Sequence, residues 1–335
     1  MSASYLGAAS EIAGPLASAL TEDVRRAEEV LSKSLESDVE KVEAIGRHVG
    51  EAGGKRLRPL FVALSARATN LPFDASRVAT LGAAMEMIHM ATLIHDDVID
   101  NADLRRGKPT ACVLYGNTAG ILTGDVLLAR AMSLLAEDGD LPTIRMVSSA
   151  VVEMATGEVM EVDARGVFDL SETDYLEILR RKTATFLAAC CRAGAMAAGA
   201  SPDAQLALSN YGEAVGMGFQ IADDVIDFRS DPGVTGKPRA TDFREGCATM
   251  PLIQLRGALT ADEDAFVRSK FGNGVVDADL DVIAEWMTSR RAFAKTSVAA
   301  ERYAERAKSA LMHLPATQER ELLAKLADLM IARNT

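Results

Sequence analysis

Aromatic residues are scarce in this 335-residue chain, at 5% of positions with a single tryptophan, while alanine, leucine, methionine and glutamate are abundant. That balance favours helices over strands. Cysteines are few: Cys112, Cys190, Cys191 and Cys247 form no CxxC pair of the metal-binding kind, so reduced thiols in a cytoplasmic protein are expected. Positive charge is in deficit. The formal net charge of −12 argues against a nucleic-acid partner. No apolar run continues unbroken for about 18 residues, so no membrane span is expected. Residues 1–5 lack the basic patch of a signal peptide, and Glu11 arrives early.

Apolar residues make up 48% of the chain, enough for a sizeable core. The length permits two domains without requiring them, and no stretch reads as a linker, so one domain over 1–335 is expected. Helical patterns cover 21–50, 56–69, 76–101, 118–137, 142–165, 172–199, 203–229, 249–258, 261–272, 278–290, 294–312 and 316–333. Thr21, Ser171 and Thr260 read as N-caps ahead of acidic first turns. Leu81, Met85, Ile88 and Thr92 repeat with helical spacing, as a buried stripe does. No segment has a period of two. Residues 229–246, rich in Gly, Pro, Asp and Arg, read as a loop able to close over a site.

One signature occurs twice, as Asp96-Asp97-Val98-Ile99-Asp100 and Asp223-Asp224-Val225-Ile226-Asp227. On a helix the first and last carboxylates of each lie one turn apart on one face, where like charges repel. Hard divalent cations, which prefer carboxylate oxygen, would offset that repulsion. His89 falls near the line of Asp96 and Asp100, because seven residues make nearly two turns. Gln220 accompanies the second motif in the same way. A single such motif is equally well explained as a solvated face, but two copies in apolar helices are not. Cations follow or precede the acids: Gly53-Gly54-Lys55-Arg56-Leu57-Arg58-Pro59, Arg105-Arg106-Gly107-Lys108-Pro109, Lys182-Thr183-Ala184 and Gly236-Lys237-Pro238. Arginine grips phosphate oxygens in pairs and lysine acts as a point charge, so an acidic protein that holds polyphosphates needs such clusters.

In this order the strings resemble the trans-isoprenyl diphosphate synthases, the polyprenyl synthetase family, from about residue 40 onward. The segment Ala91-Thr92-Leu93-Ile94-His95-Asp96-Asp97 is most similar to the long-chain bacterial octaprenyl and decaprenyl type that makes quinone side chains. The resemblance implies an all-α, single-domain helical bundle around a deep central active-site cavity, the isoprenoid synthase fold, as a homodimer. It implies condensation of isopentenyl diphosphate with an allylic diphosphate by ionisation, condensation and elimination. Three Mg2+ ions per site are implied with substrate bound, together with peripheral membrane contact for release of a long lipid product.

The same resemblance distributes the roles. Asp96, Asp100 and Asp223 are implied as metal ligands, with Asp97, Asp224 and Asp227 as further ligands or acting through bound water. Arg105, Lys182 and Lys237 would hold the allylic diphosphate. Lys55, Arg58, His89 and Arg106 would hold isopentenyl diphosphate. Lys182, Thr183 and Gln220 would lie near the developing cation. Ala91 and Thr92, small residues one turn before Asp96, would let the tail grow past C20, with Met87, Ile88 and Met154 forming the floor. Two departures stand out. Cys247 follows Arg244-Glu245-Gly246 where family members carry lysine, and Arg239-Ala240 follows Gly-Lys-Pro where a glycine is common; Arg239 would supply the lost charge. The alternatives are a short-chain farnesyl or geranylgeranyl (C15–C20) synthase, a terpene cyclase and a non-catalytic partner subunit.

Overall fold

The computed structural model describes residues 15–52, 54, 56–229 and 239–331. The chain divides into two compact units. One contains the chain through Ser149 with Ala189–Ser209 and Leu311–Leu323, and the other contains Ala150–Ala188, Asn210–Ala310 and the chain from Ala324. Most of the changeovers fall inside helices, so none of these is marked by a linker.

In the first unit the helices are α1 (Pro15–Ser34), α2 (Glu40–Glu51), α3 (Leu57–Ala68), α4 (Ala75–Ile99), α5 (Ala111–Tyr115) and α6 (Asn117–Asp138). Helix α4 is its centre and packs against α1, α3 and α6. It is apolar around most of its circumference, as a helix enclosed by neighbours must be. Leu81, Met85, Met87, Ile88 and Ile94 have no solvent exposure. Each such side chain contributes about 1.5–3 kcal/mol relative to exposure. Asp74 caps the helix by accepting from Ser76 N at 2.8 Å. Close packing on α3 depends on Gly82, whose β-carbon would sit 3.2 Å from Pro59 Cα. By length and composition α4 and α6 are apolar enough to cross a membrane; α4 is mostly buried in the protein, as a core helix is.

Several expectations need correction. The helix expected over 21–50 is broken at residues 35–39, where Ser37 N donates to Glu43 and Val39 N to Ser37 Oγ. Such side-chain bonds compete with the helical ladder. Thr21 is not a cap: it lies inside α1, and its hydroxyl donates to Ala17 O at 2.8 Å. A small antiparallel ribbon, β1 (Leu104–Arg105) and β2 (Lys108–Pro109), follows α4. Its turn residues Arg106 and Gly107 have φ of 54° and 76°, the two left-handed positions of a type I′ hairpin. A ribbon this short has too few residues to show a period of two.

The second unit begins within α7 (Leu141–Ala164) and continues through α8 (Glu172–Leu179), a π-turn over Arg180–Ala184 and into α9 (Thr185–Ala197). The helix expected unbroken over 172–199 is therefore interrupted. Arg180 O accepts from Thr185 N, and Thr185 Oγ1 donates to it as well at 2.9 Å, which stabilises the wider turn. Then come α10 (Pro202–Arg229), α11 (Thr241–Glu245), α12 (Met250–Arg256), α13 (Ala261–Lys270), α14 (Asp277–Ser289), α15 (Ala292–Ala310) and α16 (Gln318–Ile331). Ser171 and Thr260 cap α8 and α13 as expected, Thr260 in a full capping box with Glu263. The expected loop 229–246 contains α11, and its residues 230–238 lie outside the described residues. The scarce aromatics are concentrated here: Phe168, Phe228, Phe243, Phe271 and Phe293, five of the chain's ten phenylalanines, form one cluster. Phe243 and Phe271 meet edge-on with centroids 5.4 Å apart, the favoured geometry for quadrupolar rings. Phe228 anchors the end of α10 directly after Asp227.

Candidate active site

Each Asp motif occupies the C-terminal end of a long helix, α4 for the first and α10 for the second. That end already bears the negative pole of the helix dipole, so three carboxylates there add to an unfavourable field. Asp100 N donates to Asp96 O at 2.8 Å, so the two residues stand one helical turn apart. Asp96 and Asp100 are part-exposed and Asp223 is exposed, whereas Asp97 and Asp224 are buried.

The buried members of the two motifs have protein partners. Asp97 accepts from Arg105 Nε at 2.6 Å. The β1–β2 hairpin returns Arg105 to the motif that precedes it, so this arginine, expected on the allylic diphosphate, is here paired with a carboxylate. Asp224 accepts from the Tyr175 hydroxyl and from Met250 N. Burial pushes its carboxyl up to about 8, against the lowering effect of those two donors. Asp227 accepts from Thr241 N and Asp242 N, both at 3.2 Å, and its own carbonyl accepts from Ala240 N. The second motif thereby holds the start of α11. Among the described residues no three His, Cys, Asp or Glu side chains are drawn together as a metal cage.

A cation cluster lies beside α4 in the first unit. Arg56, in the left-handed region at φ 49°, leads into α3 and donates to Gly50 O, Glu28 and Glu86. Glu86 is a buried carboxylate one turn before His89, 3.2 Å from Arg56 Nη1. Sequence reasoning missed it, although an acid in the middle of an apolar helix was a visible signal. Burial holds His89 well below the ordinary histidine range, and the charges of Arg58, Arg106, Arg105 and Arg56 add to the effect. Arg106 is lowered by burial and by Arg105, with Glu86 opposing. So His89, Arg58 and Arg106 are brought into one electropositive environment. Lys55, expected with them, lies outside the described residues. Of the residues expected to set chain length, Ala91, Met87 and Ile88 are buried, and Thr92 is part-exposed with its hydroxyl donating to His89 O.

In the second unit Lys182 sits in the π-turn, a feature that recurs at functional sites. Its Nζ lies 2.7 Å from Glu161 Oε1 and 2.9 Å from Glu158 Oε2. Burial works against its charge, but the two carboxylates outweigh burial and hold its pKa above the ordinary lysine value. Thr183 and Gln220 are part-exposed. Cys247 is half-buried; burial first, then Glu161 and Asp242, pushes its thiol up to about 12. Arg239, the expected substitute for the missing lysine, is engaged with Asp281 at 2.7 Å and with Asp277 O. Lys237 lies outside the described residues. Tyr175, Glu158 and Glu161 were not foreseen, because each lies far in sequence from the residue it touches.

The polyprenyl synthetase family model matches residues 39–283. The nonaprenyl diphosphate synthase of Mycobacterium tuberculosis (strain ATCC 25618 / H37Rv) is 39% identical over 316 residues, 93% of this chain and 89% of that one. Among solved structures, a decaprenyl diphosphate synthase from Rhodobacter capsulatus superposes with a TM-score of 0.90 at 34% identity, covering 96% of this chain and 98% of that one. A polyprenyl synthase from Caulobacter crescentus CB15, solved with calcium and isoprenyl diphosphate, gives a TM-score of 0.89 at 36% identity, with 94% and 96% covered. Sequence, fold and the paired acidic motifs agree, and the chain belongs to the polyprenyl synthetase family.

Proposed function

We propose that this chain is a trans-polyprenyl diphosphate synthase, a prenyltransferase that condenses isopentenyl diphosphate with an allylic diphosphate to make a long-chain all-trans product. The observation that carries it is the double Asp-Asp-x-x-Asp signature, with each copy at the negative end of a long helix and Arg105 held against the first. Asp96, Asp100 and Asp223 are assigned as ligands of Mg2+. Their carboxylates are hard oxygen donors that solvent reaches, Asp96 and Asp100 in part and Asp223 more fully, whereas Asp97 and Asp224 are buried. With no complete cage of protein ligands among the described residues, substrate diphosphate oxygens and water would fill the coordination, as is usual for magnesium bound with phosphates. The Caulobacter relative was solved with calcium, which has the same preference for oxygen. Bound Mg2+ would supply positive charge to the departing diphosphate.

The protein groups divide the remaining work. Arg58, His89 and Arg106, with Lys55, bind isopentenyl diphosphate. Lys182, with Lys237 and Arg105, takes the allylic diphosphate. Thr183 and Gln220 face the developing cation as dipoles. Asp97 and Asp224 hold the motifs in place through Arg105 and Tyr175, and Asp227 does so through the start of α11. Ala91 and Thr92 leave room for a growing tail, which favours the long product over a C15–C20 one, as do the nonaprenyl and decaprenyl relatives. The enzyme is assigned as one domain, cytoplasmic and homodimeric. In the first unit Val113, Leu114, Ile121 and Leu122 are each 41–58% exposed, an apolar surface suited to a second copy.

Incubating the purified chain with farnesyl diphosphate, labelled isopentenyl diphosphate and Mg2+ tests this reading. A mass spectrum of the extracted products should show chains longer than C20, and chelator should abolish them. Products confined to C15 or C20 would favour the short-chain alternative, and no elongation by the chain alone would favour a partner-subunit role.

A further inference from the structure

Lys182 stands between two glutamates of one helical turn. Glu158 and Glu161 are three residues apart on α7, so their carboxylates leave neighbouring positions of one face. The root of Lys182 is pressed against the same helix, because a β-carbon on Gly157 would lie 2.4 Å from Lys182 N. Main chain and side chain together thus tie this lysine to one turn of α7. One ammonium between two carboxylates leaves a net charge of −1, at a place assigned to a polyanionic substrate. The second oxygen of Glu158, Oε1, is buried and accepts no hydrogen bond among the described residues, so Lys182 is the cation that answers its charge.

We infer, on the reading given above that Lys182 binds the allylic diphosphate, that Glu158 and Glu161 are positioning residues. They hold the lysine in a resting place and so set how tightly allylic diphosphate and released pyrophosphate are bound. Lysine suits such an exchange. Its ammonium is a point charge with three donors on a flexible stem, so it passes from carboxylate to phosphate oxygen by side-chain rotation alone. When the diphosphate enters, Nζ leaves the glutamates. When pyrophosphate departs, the glutamates take it back. Competition of this kind lowers affinity for both ligands.

Glu161→Gln keeps the shape and removes one competing charge. Two probes report on it in the presence of Mg2+: a non-ionisable thiolo analogue of farnesyl diphosphate, titrated calorimetrically, and inorganic pyrophosphate, read as an inhibition constant. Both should bind about three- to tenfold more tightly to Glu161→Gln than to the unmodified chain, the range expected for one partly screened ion pair. Lys182→Ala should weaken the analogue, and the gain should vanish in the double variant, since the two residues act through each other. A variant that failed to fold could not mimic tighter binding, and Glu158→Gln provides the same test if Glu161→Gln does not fold. If Lys182→Ala weakens the analogue but neither glutamine variant tightens it, the resting-place inference is overturned while the lysine assignment survives. If Lys182→Ala changes nothing, the assignment of Lys182 itself fails and the inference falls with it.

Discussion

The main-chain nitrogen of Lys182 lies 2.4 Å from the point a β-carbon on Gly157 would occupy, so glycine is the one residue that lets α7 and the π-turn approach so closely. Gly→Ala in an exposed helix interior stabilises by up to about 1 kcal/mol. Here the sign should reverse. Gly157→Ala is expected to destabilise the protein by about 1–3 kcal/mol, the usual cost of overpacking. It should also raise KM for the allylic substrate by displacing Lys182. Urea unfolding and steady-state kinetics check the two effects.

The first two acids of the second motif should differ on substitution. Asp223 is exposed and assigned to metal, whereas Asp224 is buried against Tyr175 and Met250 N. Asp223→Asn is expected to lower kcat by about 10²–10³, the scale of losing one preorganised charge-stabilising group. It should also raise the Mg2+ concentration needed for half-maximal rate. Tyr175→Phe, which removes one donor from a buried carboxylate, should cost about 1–3 kcal/mol of stability. Its effect on Mg2+ dependence should be smaller than that of Asp223→Asn.

Cys247, at the position where the resemblance leads one to expect lysine, lies among Glu161, Asp242 and Glu245. Its thiol, pushed up to about 12, should react slowly with iodoacetamide at pH 8 in the native protein and readily once unfolded. Cys247→Lys places a cation near Glu161 and should lower KM for the allylic diphosphate. An unchanged KM would separate Cys247 from that substrate.

Folded His89 resists protonation because of its burial and its arginine neighbours. The unfolded chain takes up that proton as pH falls through about 6.5, while the folded chain does not. The contribution of His89 to stability is therefore complete above that pH and lost progressively below it. Denaturant unfolding at pH 7.5, 6 and 5 should show stability declining, and His89→Gln should flatten part of the decline.

Thr92 lies one turn before Asp96 and is part-exposed, while Ala91 beside it is buried. Thr92→Phe should shorten the product toward C15–C20, because an aromatic ring would fill the path assigned to the tail. Mass spectrometry of the products from farnesyl diphosphate decides it, and an unchanged product length would place the tail elsewhere.

Much of this protein was legible from local pattern. Its helices, the N-caps at Ser171 and Thr260, and both Asp motifs depend on residues within a turn or two of each other, which composition and spacing record directly. The order of those motifs and their flanking cations was specific enough to indicate the family. Even so, residues 35–39 broke an expected helix through the bonds of Ser37, and the strong helical pattern over 172–199 concealed a π-turn.

What only the tertiary structure decided is which acids are buried and which distant residues they meet. Tyr175 reaches Asp224 across 49 residues and Lys182 reaches Glu161 across 21, separations that no helical or strand period encodes. Read from sequence, helical phase sets Asp96 with Asp100 and the resemblance ranks Asp96 and Asp223 ahead of Asp97 and Asp224, but neither tells which acids leave solvent. Burial separates them, because a carboxylate removed from water must find donors within the protein, and the packing of distant helices determines which donors are there.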